Sequence, residues 1–242
     1  MKLVDLGLID LDAPANRYLR DAKLRTELGS ADDMTVRRVA NHTSGLPIHY
    51  SFFYDGAAVP SMDETIRRYG FASKTPGSAW EYSNLGFGIL NYITELAAGQ
   101  PWGTFMEDEV YDPLGMQRTS NHIRPDHAAD AAVQYGRELT GAFRPVPHYE
   151  FDHPGASVIV STVHDLARFA RMHMNAGELD GVRILSPEAT QEMQVKTATS
   201  QGRNGYGIGW AIGTYRGQRM VSHTGGMPGV STALRLFPDD KS

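Results

Sequence analysis

YGIGWAIGTYRGQRMVSHTGGMPGVSTALRLF, residues 206–237, is the stretch that decides the fold. It divides into three short apolar-rich segments, Tyr206–Gly213, Arg219–His223 and Gly229–Phe237, each bounded by glycine or a turn, which is the pattern of strands in an antiparallel meander. The residues before position 200 read differently. Ser61-Met62-Asp63-Glu64 is a capping box that opens a helix through Arg67 and Arg68 toward Tyr69. Leu85, Ile89, Leu90, Ile93 and Leu96 recur at helical spacing until Gly99 and Pro101 stop them. Thr162 to Asp165 forms a second capping box, and the helix after it carries Val163, Leu166, Ala167 and Ala170 on one face and ends near Gly177. Ser186-Pro187-Glu188 starts another, with proline where a helix tolerates it. Helices followed by strands predict an α+β fold in which a mainly helical region, residues 1–200, sits beside an antiparallel sheet, residues 201–242, the two forming one domain. The sheet reads as incomplete, because the chain stops at Ser242 just after the third strand.

The 242 residues suffice for a real core, and 41% hydrophobic with 21% charged residues is an ordinary globular balance. A net charge of -5 with interleaved signs offers no basic stripe, so nucleic acid is not an expected partner. No stretch approaches the roughly 20 apolar residues of a membrane helix, and Asp5 interrupts the opening too early for a signal sequence. By default the chain reads as cytoplasmic, although any leader would lie upstream of Met1. It has no cysteine, which excludes disulfides, a thiolate nucleophile and a Cys-type zinc site. His122 lies near His127 and His148 near His153, but no His-Glu-x-x-His or similar ligand spacing appears, so neither a metal nor a cofactor is expected.

Three strings, taken in order, carry a resemblance: His42-Thr43-Ser44-Gly45-Leu46-Pro47, Tyr82-Ser83-Asn84 leading into a helix, and His223-Thr224-Gly225-Gly226 ending a strand. Gly7-Leu8-Ile9-Asp10-Leu11-Asp12, Pro113-Leu114-Gly115-Met116 and Tyr206-Gly207-Ile208-Gly209-Trp210 agree with them. Together they resemble the β-lactamase-related serine hydrolases: class C β-lactamases, D-alanyl-D-alanine carboxypeptidases and esterases of that fold. The resemblance spans essentially the whole chain and implies a β-lactamase/transpeptidase-like fold. The chemistry it implies is acyl transfer from an ester, amide or D-amino-acid peptide through a serine ester, with a small-molecule or peptide substrate.

That chemistry uses a Ser-x-x-Lys turn of helix, and this chain has none. Three residues before Lys23, Lys74, Lys196 and Lys241 stand Arg20, Phe71, Met193 and Pro238, and Lys2 is too close to the start. In the family the nucleophile's helix runs into the segment that Met1–Asp12 resembles. The motif is therefore expected just upstream of Met1, the chain is expected to be truncated at both ends, and alone it is expected to be inactive. A pseudoenzyme or binding module that keeps the cleft is the alternative.

The resemblance assigns roles to the remaining residues. Tyr82 would relay a proton between serine, lysine and leaving group. A free tyrosine is phenolate only about once in 10³ at neutral pH, a gap of roughly 4 kcal/mol, so without the lysine Tyr82 should be a poor base. Asn84 would hold the substrate's carbonyl or the lysine, and as a residue type it also suits a helix cap. His223-Thr224-Gly225 stands where β-lactamases carry Lys-Thr-Gly: Thr224 would bind substrate, Gly225 would let backbone come close, and the Gly226 amide would supply half of an oxyanion hole. Histidine in place of lysine removes a cation that would meet a carboxylate, which favours esterase or peptidase activity over antibiotic hydrolysis. Ser44 has neither a lysine partner nor a Gly-x-Ser-x-Gly elbow, and it reads as structural.

Overall fold

The computed structural model describes residues 1–200 and 204–241. Its α-helices are α1 (Lys2–Asp5), α2 (Val36–Ala40), α3 (Met62–Tyr69), α4 (Asn84–Ala98), α5 (Trp102–Met106), α6 (Val163–Met174) and α7 (Pro187–Met193). Helix α4 is central. Ser83 caps it by accepting the Gly86 N–H at 3.0 Å, and Gly99 ends it at φ 69°, a left-handed turn that glycine enters without a Cβ penalty. Leu85, Ile89 and Ile93 fall on one stripe and bury against Leu3, Leu24, Met34, Val39, Leu46 and Ile66. A second cluster joins Leu114, Met116, Met172, Leu185 and Ala189 beneath α6 and α7.

The sheet has five strands in sequence order, Ala198–Thr199, Gly205–Tyr206, Ala211–Tyr215, Gln218–Met227 and Val230–Leu236, all neighbours antiparallel. The meander was legible in the sequence, but two details differ. The predicted strand Tyr206–Gly213 is interrupted at Gly207–Trp210, where Gly209 sits at φ 74°, so its halves become separate strands and Ala198–Thr199 pairs outside them. His223-Thr224-Gly225-Gly226 does not end a strand either. It lies within Gln218–Met227, paired residue for residue with Ser231–Leu234, and the turn comes later at Pro228–Gly229. Val221 and Leu236 pair across the two strands and bury with Trp210 against Ala170 of α6, which is how the helical part covers the sheet.

Residues 1–200 are less purely helical than expected. Short strand pairs join Arg25–Thr26 to Phe71–Ala72, Phe53–Tyr54 to Tyr149–Glu150, Tyr135–Arg137 to Phe143–Pro145, and Glu178–Leu179 to Val182–Arg183. The boundary drawn between 200 and 201 adjoins residues 201–203, which lie outside the described residues.

The Ser61 capping box is complete in both directions. The Thr162 box is half formed: Thr162 caps α6, but the Asp165 carboxylate turns away to accept from the Arg118 amide and the Thr119 hydroxyl. The buried face of α6 also differs from expectation. Val163 and Ala167 face outward, and Asp165, Ala170, Met172 and His173 are buried.

Ile89 has no exposed surface and sits at the middle of the first core cluster. Ile89→Ala is expected to cost about 3 kcal/mol of unfolding free energy, through lost burial and the cavity left behind. Urea denaturation checks this, and a loss under about 1 kcal/mol would show that α4 is not the core's centre.

Candidate active site

The site forms where the start of α4, the loop after α2 and the strand Gln218–Met227 meet. His42, at the end of α2, adopts φ 63° and is fully buried. Its carbonyl accepts the Glu81 N–H at 2.8 Å. Its Nδ1 accepts the Ser83 N–H at 3.1 Å, so the ring proton resides on Nε2, which donates to the Tyr206 hydroxyl at 3.2 Å. Burial, assisted by His223, holds this imidazole down to about 3, so it is neutral.

The Tyr82 ring lies on His42 at 4.3 Å between centroids and 40° between planes, and 6.3 Å from the His223 ring. Among the described residues its hydroxyl has no hydrogen-bond partner. Burial, and secondarily Tyr50, raises its pKa, so the group carries its proton. His223 is half-buried and its pKa is lowered by that burial, partly offset by the Thr224 backbone, so it is neutral as well.

Asn84 is buried at the first position of α4, its N–H bonded to the Ile48 carbonyl at 2.8 Å and its Nδ2 donating to the His49 carbonyl at 3.1 Å. The capping role falls to Ser83. Among the described residues no donor reaches Asn84 Oδ1, which leaves that oxygen for an incoming N–H or ammonium.

Strand alternation sends the His223 side chain toward Tyr82 and the Thr224 side chain to the opposite face. The structure therefore sets the Tyr82 and His223 rings together, with Asn84 two residues beyond Tyr82 at the start of α4, and leaves Thr224, Gly225 and Gly226 exposed along the strand. At Gly225 a Cβ would lie 2.6 Å from Thr232 Oγ1 on the paired strand, so a larger residue there would force the Thr232 hydroxyl to move. At Gly226 a Cβ would meet nothing within 4 Å, and its carbonyl accepts the Tyr50 hydroxyl at 2.6 Å. Ser44 is 1% exposed, too enclosed to attack a substrate.

Sequence reasoning missed a buried hub behind Asn84. Asp152 Oδ1 accepts from His49 Nε2 and from His153 Nδ1, each at 2.8 Å, and Oδ2 accepts from Thr65 Oγ1 at 3.1 Å. Burial alone would push this carboxyl up, but the hydrogen bonds from His153 and His49 outweigh it and hold it well below the usual carboxylate range. Donor atoms of His49, Asp152 and His153 lie within 4.8 Å of one another, the spacing of a cation site. The two imidazole N–H groups already occupy the carboxylate, and His153 Nε2 is buried without a partner. A metal on Nδ1 would force a proton onto that orphaned nitrogen, contrary to the supported second shell that metal-bound histidines have, so the trio serves as a hydrogen-bond hub. The sequence carried no local signal for it, since positions 49, 65 and 152 are far apart. His148, which neighbours His153 in the chain, stays in solvent beside Glu150. Among the described residues no helix is long and apolar enough to cross a membrane.

A strand bearing His-Thr-Gly-Gly beside a Tyr-x-Asn at a helix start, with an antiparallel sheet flanked by helices, defines the β-lactamase/transpeptidase-like fold. The beta-lactamase family model matches residues 1–242, and the chain belongs to that family. It is 26% identical over 246 residues to the unguisins hydrolase ungD' of Aspergillus campestris, covering 95% of this chain and 45% of that protein. It is 26% identical over 253 residues to penicillin-binding protein 4 of Amycolatopsis lactamdurans, covering 98% and 65%. The octameric penicillin-binding protein homologue from Pyrococcus abyssi superposes with a TM-score of 0.84 at 24% identity, covering all of this chain and 56% of that one. The chain thus spans about half to two-thirds of the length of these relatives.

A histidine whose folded pKa is depressed stabilises the fold fully above its unfolded value near 6.5 and loses that contribution as pH falls toward the folded value, about 3 for His42 and about 4 for His173. Stability is therefore expected to decline steadily from about pH 6.5 downward, with Asp152 adding to the loss at lower pH still. The His42 ring proton, followed by NMR, is expected to stay put between about pH 7.5 and 4.5, and an inflection near 6.5 would contradict its burial as a neutral group.

Proposed function

We propose that this chain forms the cleft wall of a serine hydrolase that cleaves an ester, amide or D-amino-acid peptide through an acyl-enzyme, the Ser-x-x-Lys pair lying outside these 242 residues. The observation that supports the reading is the free, protonated Tyr82 hydroxyl beside His223, with Asn84 Oδ1 unengaged two residues further along the chain. In that reaction the serine Oγ bonds to the substrate's carbonyl carbon as its proton passes to the lysine amine, and Tyr82 gives its own proton to the departing alcohol or amine as the C–O or C–N bond breaks, recovering one from the lysine ammonium. Asn84 Oδ1 receives the lysine ammonium or a substrate N–H, and the Gly226 amide with the serine's own amide receives the oxyanion. Gly225 keeps the strand flat and close to its neighbour, and Thr224 contributes through its backbone at the rim.

Neutral His223 supports uncharged acyl substrates over carboxylate-bearing antibiotics. A cleft whose polar groups are in place without a nucleophile also suits a non-catalytic binding module, and one experiment separates the two. A chimera that places a relative's Ser-x-x-Lys helix before Met1 is expected to hydrolyse nitrophenyl acetate with an acyl-enzyme on the added serine, at least about 10³-fold faster than the 242-residue chain alone. Tyr82→Phe in the chimera should lower turnover about 10²-fold or more. A binding module would gain nothing from the added helix. Labelling of a serine within residues 1–242 by a fluorophosphonate would overturn the assignment of the nucleophile.

A further inference from the structure

Five aromatic rings stand along one flank of the Tyr82 space. Tyr50, Phe52 and Tyr54 come from the segment after Pro47, Tyr149 from the strand paired with Phe53–Tyr54, and Phe151 from just beyond that strand. Centroids are 4.7 Å apart for Tyr50 and Phe52, 5.2 Å for Phe52 and Phe151, 5.3 Å for Phe52 and Tyr149, and 5.9 Å for Tyr54 and Tyr149. Phe151 roots this ladder in the interior at 6% exposure, while Tyr50 and Tyr54 are 43% and 42% exposed.

The ladder is continuous with the candidate site. The Tyr50 hydroxyl donates to the Gly226 carbonyl at 2.6 Å, and the Tyr149 hydroxyl to the Pro228 carbonyl at 3.0 Å. His49, the residue before Tyr50, gives its carbonyl to Asn84 and its ring N–H to Asp152, the residue after Phe151. One loop therefore fixes Asn84 and carries the rings, and the Asp152 hub pins it from behind. A run of partly exposed aromatics held rigid at a cleft is suited to recognition, since rings offer large apolar area and orient partners by stacking or edge contacts. Charge narrows the partner. His223 is neutral, and among the described residues no lysine or arginine pairs or hydrogen-bonds with Tyr82, Asn84, His223 or the ladder.

We infer that the substrate is an uncharged ester, amide or peptide whose aromatic or similarly broad apolar group lies on Tyr50, Phe52 and Tyr54 while its carbonyl lies in the Tyr82 space. This rests on reading the Tyr82 space as an acyl-hydrolase cleft. The rings supply the affinity, and among the described residues no cation stands against the ladder to receive a free carboxylate there.

The test is titration of the isotope-labelled 242-residue chain with three compounds, following amide shifts. They are N-acetyl-D-phenylalanine methyl ester, N-acetyl-D-alanine methyl ester and N-acetyl-D-phenylalanine free acid. The phenylalanine ester is expected to bind about five-fold or more tighter than each of the others, and Phe52→Ala or the exposed Tyr54→Ala should remove most of its advantage over the alanine ester. Equal affinities, a free acid that binds as tightly as its ester, or no saturable binding would each overturn the inference. Shifts at the Asn84 side chain and the Thr224 amide without an aromatic preference would sink this inference alone. An aromatic preference with shifts confined to the ladder would instead count against the acyl-hydrolase reading and reduce the ladder to a separate aromatic-binding surface.

Discussion

A neutral imidazole buried between three chain segments is the constraint on which the site depends. His42 takes up one backbone donor through its carbonyl, a second through Nδ1, and offers its single proton to Tyr206. Protonation would replace the Nδ1 lone pair with a hydrogen aimed at the Ser83 N–H, so the same atom could not hold the Tyr82–Asn84 turn. The left-handed backbone at His42 is an uncommon conformation for a side chain with a Cβ and costs about 1 kcal/mol or more. It persists because the ring's bonds and its contacts with Trp80, Tyr82, Phe87 and Tyr206 over-determine it.

A second buried group does the same work for the other side of the turn. Asp152 gathers His49 from the loop after Pro47, Thr65 from α3 and its own neighbour His153, and removal of its charge would leave two imidazole donors and a hydroxyl in a space closed to water. Gly88 of α4 packs directly on His153, where a Cβ would come within 2.8 Å, so the hub and the central helix cannot move independently. The start of α4 is thereby clamped between two histidine-centred networks, and the rigidity of Asn84 follows from both.

The parts of this arrangement that were legible in the sequence are those encoded locally. The Ser61 box, the Gly99 stop and the Ser186-Pro187 start each fit within one turn of helix, and all three formed as read. Local rules failed where a distant partner competed for the same atoms. Asp165 left its expected place in the Thr162 cap, its carboxylate accepting instead from the Arg118 and Thr119 donors. The strand after Asn204 broke because Gly207 gives its N–H to the Trp210 carbonyl in a tight turn rather than to a neighbouring strand. For the site, the Tyr82 and His223 strings meet ring to ring at 6.3 Å, whereas the hub and the aromatic ladder depend on pairing across about 100 residues, which no spacing announces.

The cleft's neutrality bears on how its tyrosine could be activated. An ordinary phenol lies about three units above neutral pH, a gap of roughly 4 kcal/mol, and burial of Tyr82 widens it. One ammonium about 4 Å away, at an effective dielectric near 20, contributes about 4 kcal/mol, which offsets the ordinary gap but not the part that burial adds. With His42 and His223 both held neutral, no second cation within the described residues shares that task. On the acyl-hydrolase reading, a single lysine would therefore decide whether Tyr82 acts as base or remains a donor, and the same groups would behave as a passive binding surface wherever that ammonium is absent.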